Sequence, residues 1–211
     1  MKIAIIGASG KAGALLAEEA LIQGYDVTAI VRDRTKIKNS KINVIEKSIF
    51  DLTPADIKIF DVVIDAFNAP SGEENQHATS MTHLISIFES VPDTRLLVVG
   101  GAGSLYVDPD QRIALMDSDG FPAEYKAIAV NMAKGLEALK ASHINWTYLS
   151  PAAFFDPAGK RTGQYVLGGE NLHFNSAKQS YVSYADYALA MIDEIKIKAY
   201  VKKRFSVVSE S

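Results

Sequence analysis

The stretch KIAIIGASGKAG, residues 2–13, decides the fold of this chain. A short, largely apolar run passes directly into a loop with three glycines, Gly7, Gly10 and Gly13. Glycine adds no packing volume and costs backbone entropy, so this spacing indicates that another group approaches the backbone closely. Because the loop connects a predicted strand to a predicted helix, it offers unpaired N–H groups and the positive end of a helix dipole. We predict that the loop binds a pyrophosphate.

Two other kinds of glycine-rich loop can connect a strand to a helix. A nucleoside triphosphatase loop requires Gly-Lys-Ser or Gly-Lys-Thr, whereas Ala12 follows Gly10-Lys11 here, and this disfavours that class. A glycine-rich turn without a ligand stays open. The regular spacing of the three glycines in the first strand–helix unit favours the dinucleotide loop over such a turn.

The composition is that of an ordinary globular protein, and we expect one domain over residues 1–211. The chain has 48% hydrophobic and 22% charged residues and a net charge of −3. No block of like charge favours nucleic acid or an anionic membrane as a partner. The absence of cysteine excludes disulfides, thiol catalysis and cysteine zinc sites. No segment has the pattern of a signal peptide or a membrane span, so we expect a cytoplasmic protein with a small-molecule ligand.

The rest of the chain repeats the strand–helix pattern. The predicted strands are apolar throughout, which is typical of a parallel sheet covered on both faces. They are residues 2–6, 26–32, 41–47, 61–67, 94–100, 144–150 and 204–209. Helices are predicted at residues 11–24, 74–90, 124–142 and 183–195, the last opened by the capping-box pattern Ser183-x-x-Asp186. We therefore predict a doubly wound α/β fold, the Rossmann fold, with an irregular substrate-side segment at residues 151–183.

The end of the second strand bears on the kind of dinucleotide. An NAD site usually places an acidic residue about 20 residues after the glycines, where it binds the ribose hydroxyl. Arg32 stands there instead, and a guanidinium pairs with a 2′-phosphate as a fork. Arg34, Lys36 and Lys11 add positive charge nearby. We predict NADP(H) as the preferred cofactor, while NAD(H) stays open because Asp33 could serve the ribose and the basic loop could simply be solvated.

Four stretches of the sequence resemble a known family. Residues 2–33, 94–109 (TRLLVVGGAGSLYVDP), 145–155 (NWTYLSPAAFF) and 183–195 (SYADYALAMIDEI) are similar to the atypical short-chain dehydrogenase/reductases of the NAD(P)H-binding, NmrA-like group. The later stretches resemble its NADH-flavin reductase branch, which includes biliverdin/flavin reductase-like proteins. The resemblance covers nearly the whole chain and implies an NAD(P)-binding Rossmann fold.

The resemblance also implies cofactor contacts at the carboxyl ends of successive strands. These would be made by Gly7, Ser9, Gly10, Lys11, Gly13, Arg32, Asp51, Ala66, Phe67, Asn68, Gly100, Gly101, Pro151 and Ala152. In this family the glycine loop holds the pyrophosphate, and the last four positions lie beside the nicotinamide half. Asp51 matches an acid that binds the adenine amine, although it could equally be the N-cap of a helix at TPADI.

A catalytic pair of the wider superfamily is missing from the sequence. Many members use Tyr-x-x-x-Lys, in which the lysine lowers the tyrosine pKa so that the phenol protonates a carbonyl. Tyr125 is followed four residues later by Ala129. Lys134 stands nine residues after Tyr125, which places it on the opposite side of a helix. The sequence therefore predicts chemistry without this dyad.

Few other side chains are candidates for catalysis. Ala153 stands where the flavin and biliverdin reductases have a site histidine. Ser104 and Tyr106, just past the fifth strand, remain as catalytic candidates, although serine is also a common turn residue. His77 and His83 are six residues apart on one helix and do not share a face, so we predict no metal site. We expect His77 to be a surface imidazole, although its place near the start of the helix could also let it face the cofactor.

The missing dyad favours one class of hydride acceptor. Carbonyl reduction builds alkoxide charge that needs a nearby acid. Flavins and quinones accept hydride into a delocalised system and can take a proton from water. We therefore predict an NAD(P)H-dependent oxidoreductase that reduces a flavin, a quinone or a similar planar molecule. The alternative is a redox-sensing regulator of the NmrA-like type, which binds NADP(H) without turnover; a homodimer stays open.

Overall fold

The computed structural model describes residues 1–210 as a layered α/β protein. The strands are β1 (Lys2–Ile6), β2 (Asp26–Val31), β3 (Asn43–Glu46), β4 (Val62–Asp65), β5 (Arg95–Val99), β6 (Trp146–Ser150), β7 (Phe154–Asp156), β8 (Tyr165–Gly168), β9 (Tyr181–Ser183) and β10 (Lys203–Ser209). The α-helices are α1 (Lys11–Ile22), α2 (Pro54–Ile57), α3 (Gln76–Phe88), α4 (Ala123–Ala141) and α5 (Tyr184–Ile197). Within residues 1–210, no helix combines the length and the apolarity needed to cross a membrane.

The main sheet has the order β3-β2-β1-β4-β5-β6-β10-β8. Its strands are parallel except for β8, which runs antiparallel to β10. Apolar residues of the inner strands are buried on both faces, where they form two cores, one under α1 and α5 and one under α3 and α4. This confirms the predicted Rossmann fold, in which the order of the strands reverses at β1 and β4 and leaves a crevice at the carboxyl ends of the strands.

Residues 151–183 are more regular than the sequence pattern predicts. They contain β7 and β9, which pair with each other, and β8, which extends the main sheet. The fully buried carboxylate of Asp186 accepts hydrogen bonds from Thr162 N, Thr162 Oγ1, Gly163 N and Ser209 Oγ at 2.7–2.9 Å. Ser183 caps α5 as predicted, because its Oγ accepts the Asp186 N–H. Asp186 thus attaches this segment to β10 instead of completing a capping box.

Candidate functional site

A cleft of about 410 Å³ opens at the carboxyl ends of β1, β2 and β4. It lies at the crevice where an open α/β sheet binds ligands. Its walls include these residues that the sequence predicts as cofactor contacts: Gly7, Ser9, Gly10, Arg32, Ala66, Phe67 and Asn68. The tertiary structure therefore brings the glycine loop, the end of β2 and the end of β4 together around one space.

The three glycines of the loop differ in what an added side chain would contact. Gly7 has a positive φ of +74°, and a Cβ there would lie 2.6 Å from the Ala66 carbonyl oxygen. A Cβ on Gly13 would lie 2.3 Å from the Gly7 carbonyl oxygen, so Gly13 permits close packing of α1 on the loop. Gly10 has an ordinary φ of −80° and a nearest contact at 3.3 Å. Gly10 is thus the glycine whose missing side chain keeps the cleft open.

Gly10 is also the N-cap of α1 and provides no side-chain cap. The first backbone N–H groups of a helix have no acceptor within the helix. In α1 they begin at Lys11, next to the cleft, and no acidic residue stands in the first turn. The loop therefore presents N–H donors and a positive dipole end to an anion.

Two cationic side chains border the cleft beyond the glycine loop. Arg32 is exposed at the end of β2, in the predicted position. Lys47, which sequence reasoning missed, lies in the wall after β3, and its Nζ donates to both carboxylate oxygens of Asp56 at 2.7 and 2.8 Å. Although burial opposes the shift, these bonds and those from Thr53 lower the pKa of Asp56. The pair holds Lys47 in place at the rim.

An aromatic wall closes the cleft on the side of α3. The rings of Phe50 and Phe67 meet edge to face, with 6.1 Å between centroids. Sequence reasoning also missed Phe50. Its position beside Asp51, a predicted cofactor contact in the turn after β3, was the signal that could have identified it. Asp51 is exposed and is not among the residues that line the cleft. Its alternative role as a helix cap is wrong, because Thr53 is the N-cap of α2 and forms the capping box with Asp56.

The remaining predicted contacts lie outside the walls of this cleft. They are Lys11, Gly13, Asp51, Gly100, Gly101, Pro151 and Ala152. Pro151 and Ala152 are buried directly after β6. Gly100 follows β5 and packs against the ring of Tyr148, where a Cβ would lie 2.1 Å from the ring. The Gly101 N–H donates to Tyr148 Oη at 3.2 Å. The ends of β5 and β6 are thus next to each other, as the nicotinamide prediction requires. Val99 and Tyr148 from these strands line a small cavity of about 20 Å³.

The two catalytic candidates are held by one buried arginine. Arg204 Nη1 donates to the carbonyl oxygen and the Oγ of Ser104, both at 2.9 Å. Its guanidinium lies 5.9 Å from the ring centroid of Tyr106 and also bonds the Glu170 carboxylate. These contacts attach the loop after β5 to β10 and give Ser104 and Tyr106 a structural role. Their catalytic role stays a prediction.

The start of α4 carries the tyrosine of the interrupted dyad. Tyr125 is 58% exposed in the first turn of the helix. Ala129, one turn later, is buried and packs against Gly103. The neighbouring Lys126 donates from Nζ to Asp117 Oδ1 at 2.7 Å and to the Met116 carbonyl oxygen. No lysine therefore stands one turn after Tyr125 on the same face of α4.

The expectation of a surface imidazole at His77 is wrong. His77 is 8% exposed, and its ring meets Phe67 edge to face at 5.8 Å. Its Nε2 accepts the Ala69 N–H at 3.4 Å, so the ring supports the loop after β4. Burial lowers the pKa of this imidazole, although Glu74 opposes the shift. Helical spacing alone does not show that this face of α3 packs on the sheet.

Comparison with known proteins decides the family. Residues 7–196 match a protein family described as NAD(P)H-binding. The chain belongs to the NAD(P)H-binding family. It is 50% identical over 212 residues, with 100% of each chain covered, to the uncharacterized protein YwnB of Bacillus subtilis strain 168.

Two solved structures extend this result for the NAD(P)H-binding protein. SP1627 of Streptococcus pneumoniae TIGR4, which has been proposed to be an NADH-flavin reductase, is 40% identical with a TM-score of 0.94 and 99% of each chain covered. A proposed epimerase of Bacteroides thetaiotaomicron is 35% identical with a TM-score of 0.85, covering 100% of this chain and 97% of the other. These matches confirm the predicted resemblance to the NAD(P)H-binding group and to NADH-flavin reductases.

Proposed function

We propose that this NAD(P)H-binding protein is an oxidoreductase that passes hydride from NADPH to a flavin, a quinone or a similar planar acceptor in the cytoplasm. The cleft formed by the glycine loop, Arg32 and the end of β4 carries the proposal. The similarity to SP1627 supports the flavin class of acceptor. The bound dinucleotide would supply the hydride, and the chain would bind it, orient it and limit access of water.

The choice of acceptor rests on the absence of a lysine one turn after Tyr125 in α4. General acid catalysis contributes about 10²- to 10⁴-fold to reactions that need a proton in the transition state. Ala129 replaces the lysine that would activate Tyr125, and the Ser104 hydroxyl is bonded by Arg204. A delocalised acceptor does not require a strong acid beside the nicotinamide. This set of residues therefore supports a flavin or quinone over a simple carbonyl compound.

The test of the function is NADPH oxidation with FMN or a quinone as acceptor. Turnover that depends on the acceptor supports the oxidoreductase. Tight NADPH binding without turnover on any acceptor supports the alternative, a redox-sensing regulator of the NmrA-like type. The attachment of both catalytic candidates to Arg204 is the observation that favours this alternative.

Arg32→Ala tests the preference for NADP(H). We expect NADPH to bind at least about tenfold more weakly while NADH affinity barely changes, because a hydrogen bond to a charged group contributes about 1.5 to 3 kcal/mol. Calorimetric titration of both cofactors measures the effect. Arg112→Ala removes an exposed arginine that is not part of the cleft walls, and is the matched control. Equal losses for both cofactors would refute the assignment.

Tyr125→Phe tests whether a phenol takes part in the reaction. We expect most of the activity to remain, because no lysine stands one turn later to activate the phenol and a delocalised acceptor needs no strong acid. Its exposure in the first turn of α4 agrees with this expectation. The kcat with NADPH and FMN, and its pH profile, are compared for both forms. A decrease of more than about a hundredfold would make Tyr125 catalytic.

A further inference from the structure

One carboxyl group lies in an otherwise apolar part of the sheet, below the cofactor cleft. The strand register places Asp65 beside Ile6 of β1 and Val98 of β5, and Val98 beside Tyr148 of β6. Registered neighbours on adjacent strands point to the same face, here the face covered by α3 and α4. Asp65 is 6% exposed. A buried carboxyl at such a position costs folding free energy unless it is paired or neutral.

Asp65 has few partners. Its Oδ1 accepts the Phe67 N–H at 3.0 Å, and among residues 1–210 no lysine, arginine or histidine forms an ion pair with it. The carboxyl also borders a small cavity of about 20 Å³, which is enough for about one water molecule. The titratable groups that face this cavity are His77 from α3 and Tyr148 from β6. The neighbouring parts of β5 and α4 contribute only uncharged residues to it.

The charge of Asp65 changes near neutral pH. Burial raises the pKa of Asp65 to about 7, and the Phe67 N–H opposes the shift. Burial lowers the pKa of His77 and raises the pKa of Tyr148 to about 12. His77 and Tyr148 therefore both stay neutral at physiological pH, and Asp65 is the group around this cavity that titrates there.

Asp65 is connected directly to the phosphate end of the cleft. Its register partner Ile6 immediately precedes Gly7, and the Ala66 carbonyl packs against Gly7. Ala66 and Phe67, the next residues after Asp65, line the cleft. Phosphates bound at the glycine loop would add negative charge at the same end of the sheet and would exclude water from it. Both effects disfavour an ionised carboxyl and favour its protonated form.

We propose that Asp65 is a positioning residue that takes up a proton when the dinucleotide binds, so that its neutral acid supports the backbone of residues 66–68 under the bound cofactor. The protonated acid still accepts the Phe67 N–H through Oδ1 and donates its own proton into the cavity. This inference rests on cofactor binding in the proposed function but not on turnover.

Linkage determines the sign of the pH effect. Because the bound form has the higher pKa, affinity is greatest below the pKa of free Asp65 and falls as the pH rises toward the pKa of the bound form. We expect NADH to bind roughly five- to tenfold more weakly at pH 8.5 than at pH 6, and to take up roughly half a proton per site at pH 7.5. NADH is used because the 2′-phosphate of NADPH itself titrates, with a pKa of about 6.

The test is calorimetric titration of the whole protein with NADH in buffers of different ionisation enthalpy, at several pH values. Asp65→Asn keeps an acceptor for the Phe67 N–H without a charge. We expect this variant to bind NADH at pH 8.5 as tightly as the wild type does at pH 6, without proton uptake. Asp93→Asn, an exposed carboxylate before β5, is the matched control and should keep the wild-type pH dependence.

The outcomes separate this inference from the cofactor site itself. Wild-type binding that is equal at pH 6 and pH 8.5, without proton uptake, overturns the role of Asp65 and leaves the cofactor site intact. An Asp65→Asn variant that keeps the wild-type pH dependence also overturns it. Failure of both NADH and NADPH to bind at any pH would refute both the cofactor site and the role of Asp65.

Discussion

Gly10→Val is expected to weaken NADPH and NADH binding at least about a hundredfold, which corresponds to about 2.7 kcal/mol or more. The branched side chain would occupy the space in which the pyrophosphate approaches the loop. The fold should survive, because φ and ψ at Gly10 are −80° and 169°, a region that valine adopts readily. A new Cβ would lie 3.3 Å from the Gly7 carbonyl oxygen, a tight contact that a shift of a few tenths of an ångström relieves. Calorimetric titration measures the affinity, and thermal unfolding checks the fold.

Substitutions at the other two glycines of the loop would test cofactor binding less clearly. Substitutions at Gly7 or Gly13 would force contacts of 2.6 and 2.3 Å with backbone and would disturb folding together with binding. Gly169→Val is the matched control, since a Cβ there meets nothing within 4 Å and the residue is exposed outside the cleft walls. If Gly10→Val binds NADPH as the wild type does, the pyrophosphate site lies elsewhere.

Arg95→Met is expected to lower the free energy of unfolding by about 3 to 5 kcal/mol, the usual cost of removing one partner of a buried ion pair. Arg95 at the start of β5 pairs with Glu194 of α5, and both side chains are almost completely buried. Arg95 also donates to Thr147 Oγ1 and to the Glu194 carbonyl oxygen. Methionine would leave the Glu194 carboxylate in the core without a cation. Urea unfolding at constant m-value measures the change.

Two comparisons isolate the buried charge as the cause. Arg112→Met removes an arginine from an exposed pair with Asp110, and such pairs contribute about 0 to 1 kcal/mol, so its effect should be small. Glu194→Gln added to Arg95→Met removes the uncompensated charge and should restore a large part of the stability. A single variant as stable as the wild type would contradict the expected cost of leaving the Glu194 carboxylate unpaired.

The sequence by itself determined seven of the ten strands, most of the helices and the position of the glycine loop. These features follow from local patterns: apolar runs that suit a sheet covered on both faces, a Ser183 cap, and glycines between β1 and α1. Residues that follow successive strands in a parallel sheet meet at one edge, so the shared cleft of Gly7, Arg32 and Phe67 was also predictable.

Only the tertiary structure decided which distant side chains meet. Arg204 stands 100 residues from Ser104 in the chain. No local pattern predicts that this arginine donates a hydrogen bond to the serine hydroxyl. Lys47 and Phe50 reach the cleft because the turn after β3 folds over the end of β4, and β8 joins the sheet through pairing with β10. The burial of Asp65 depends on α3 and α4 covering its face of the sheet. Burial and pairing across long separations arise from packing of whole elements, whereas sequence patterns report only what neighbouring residues do to one another.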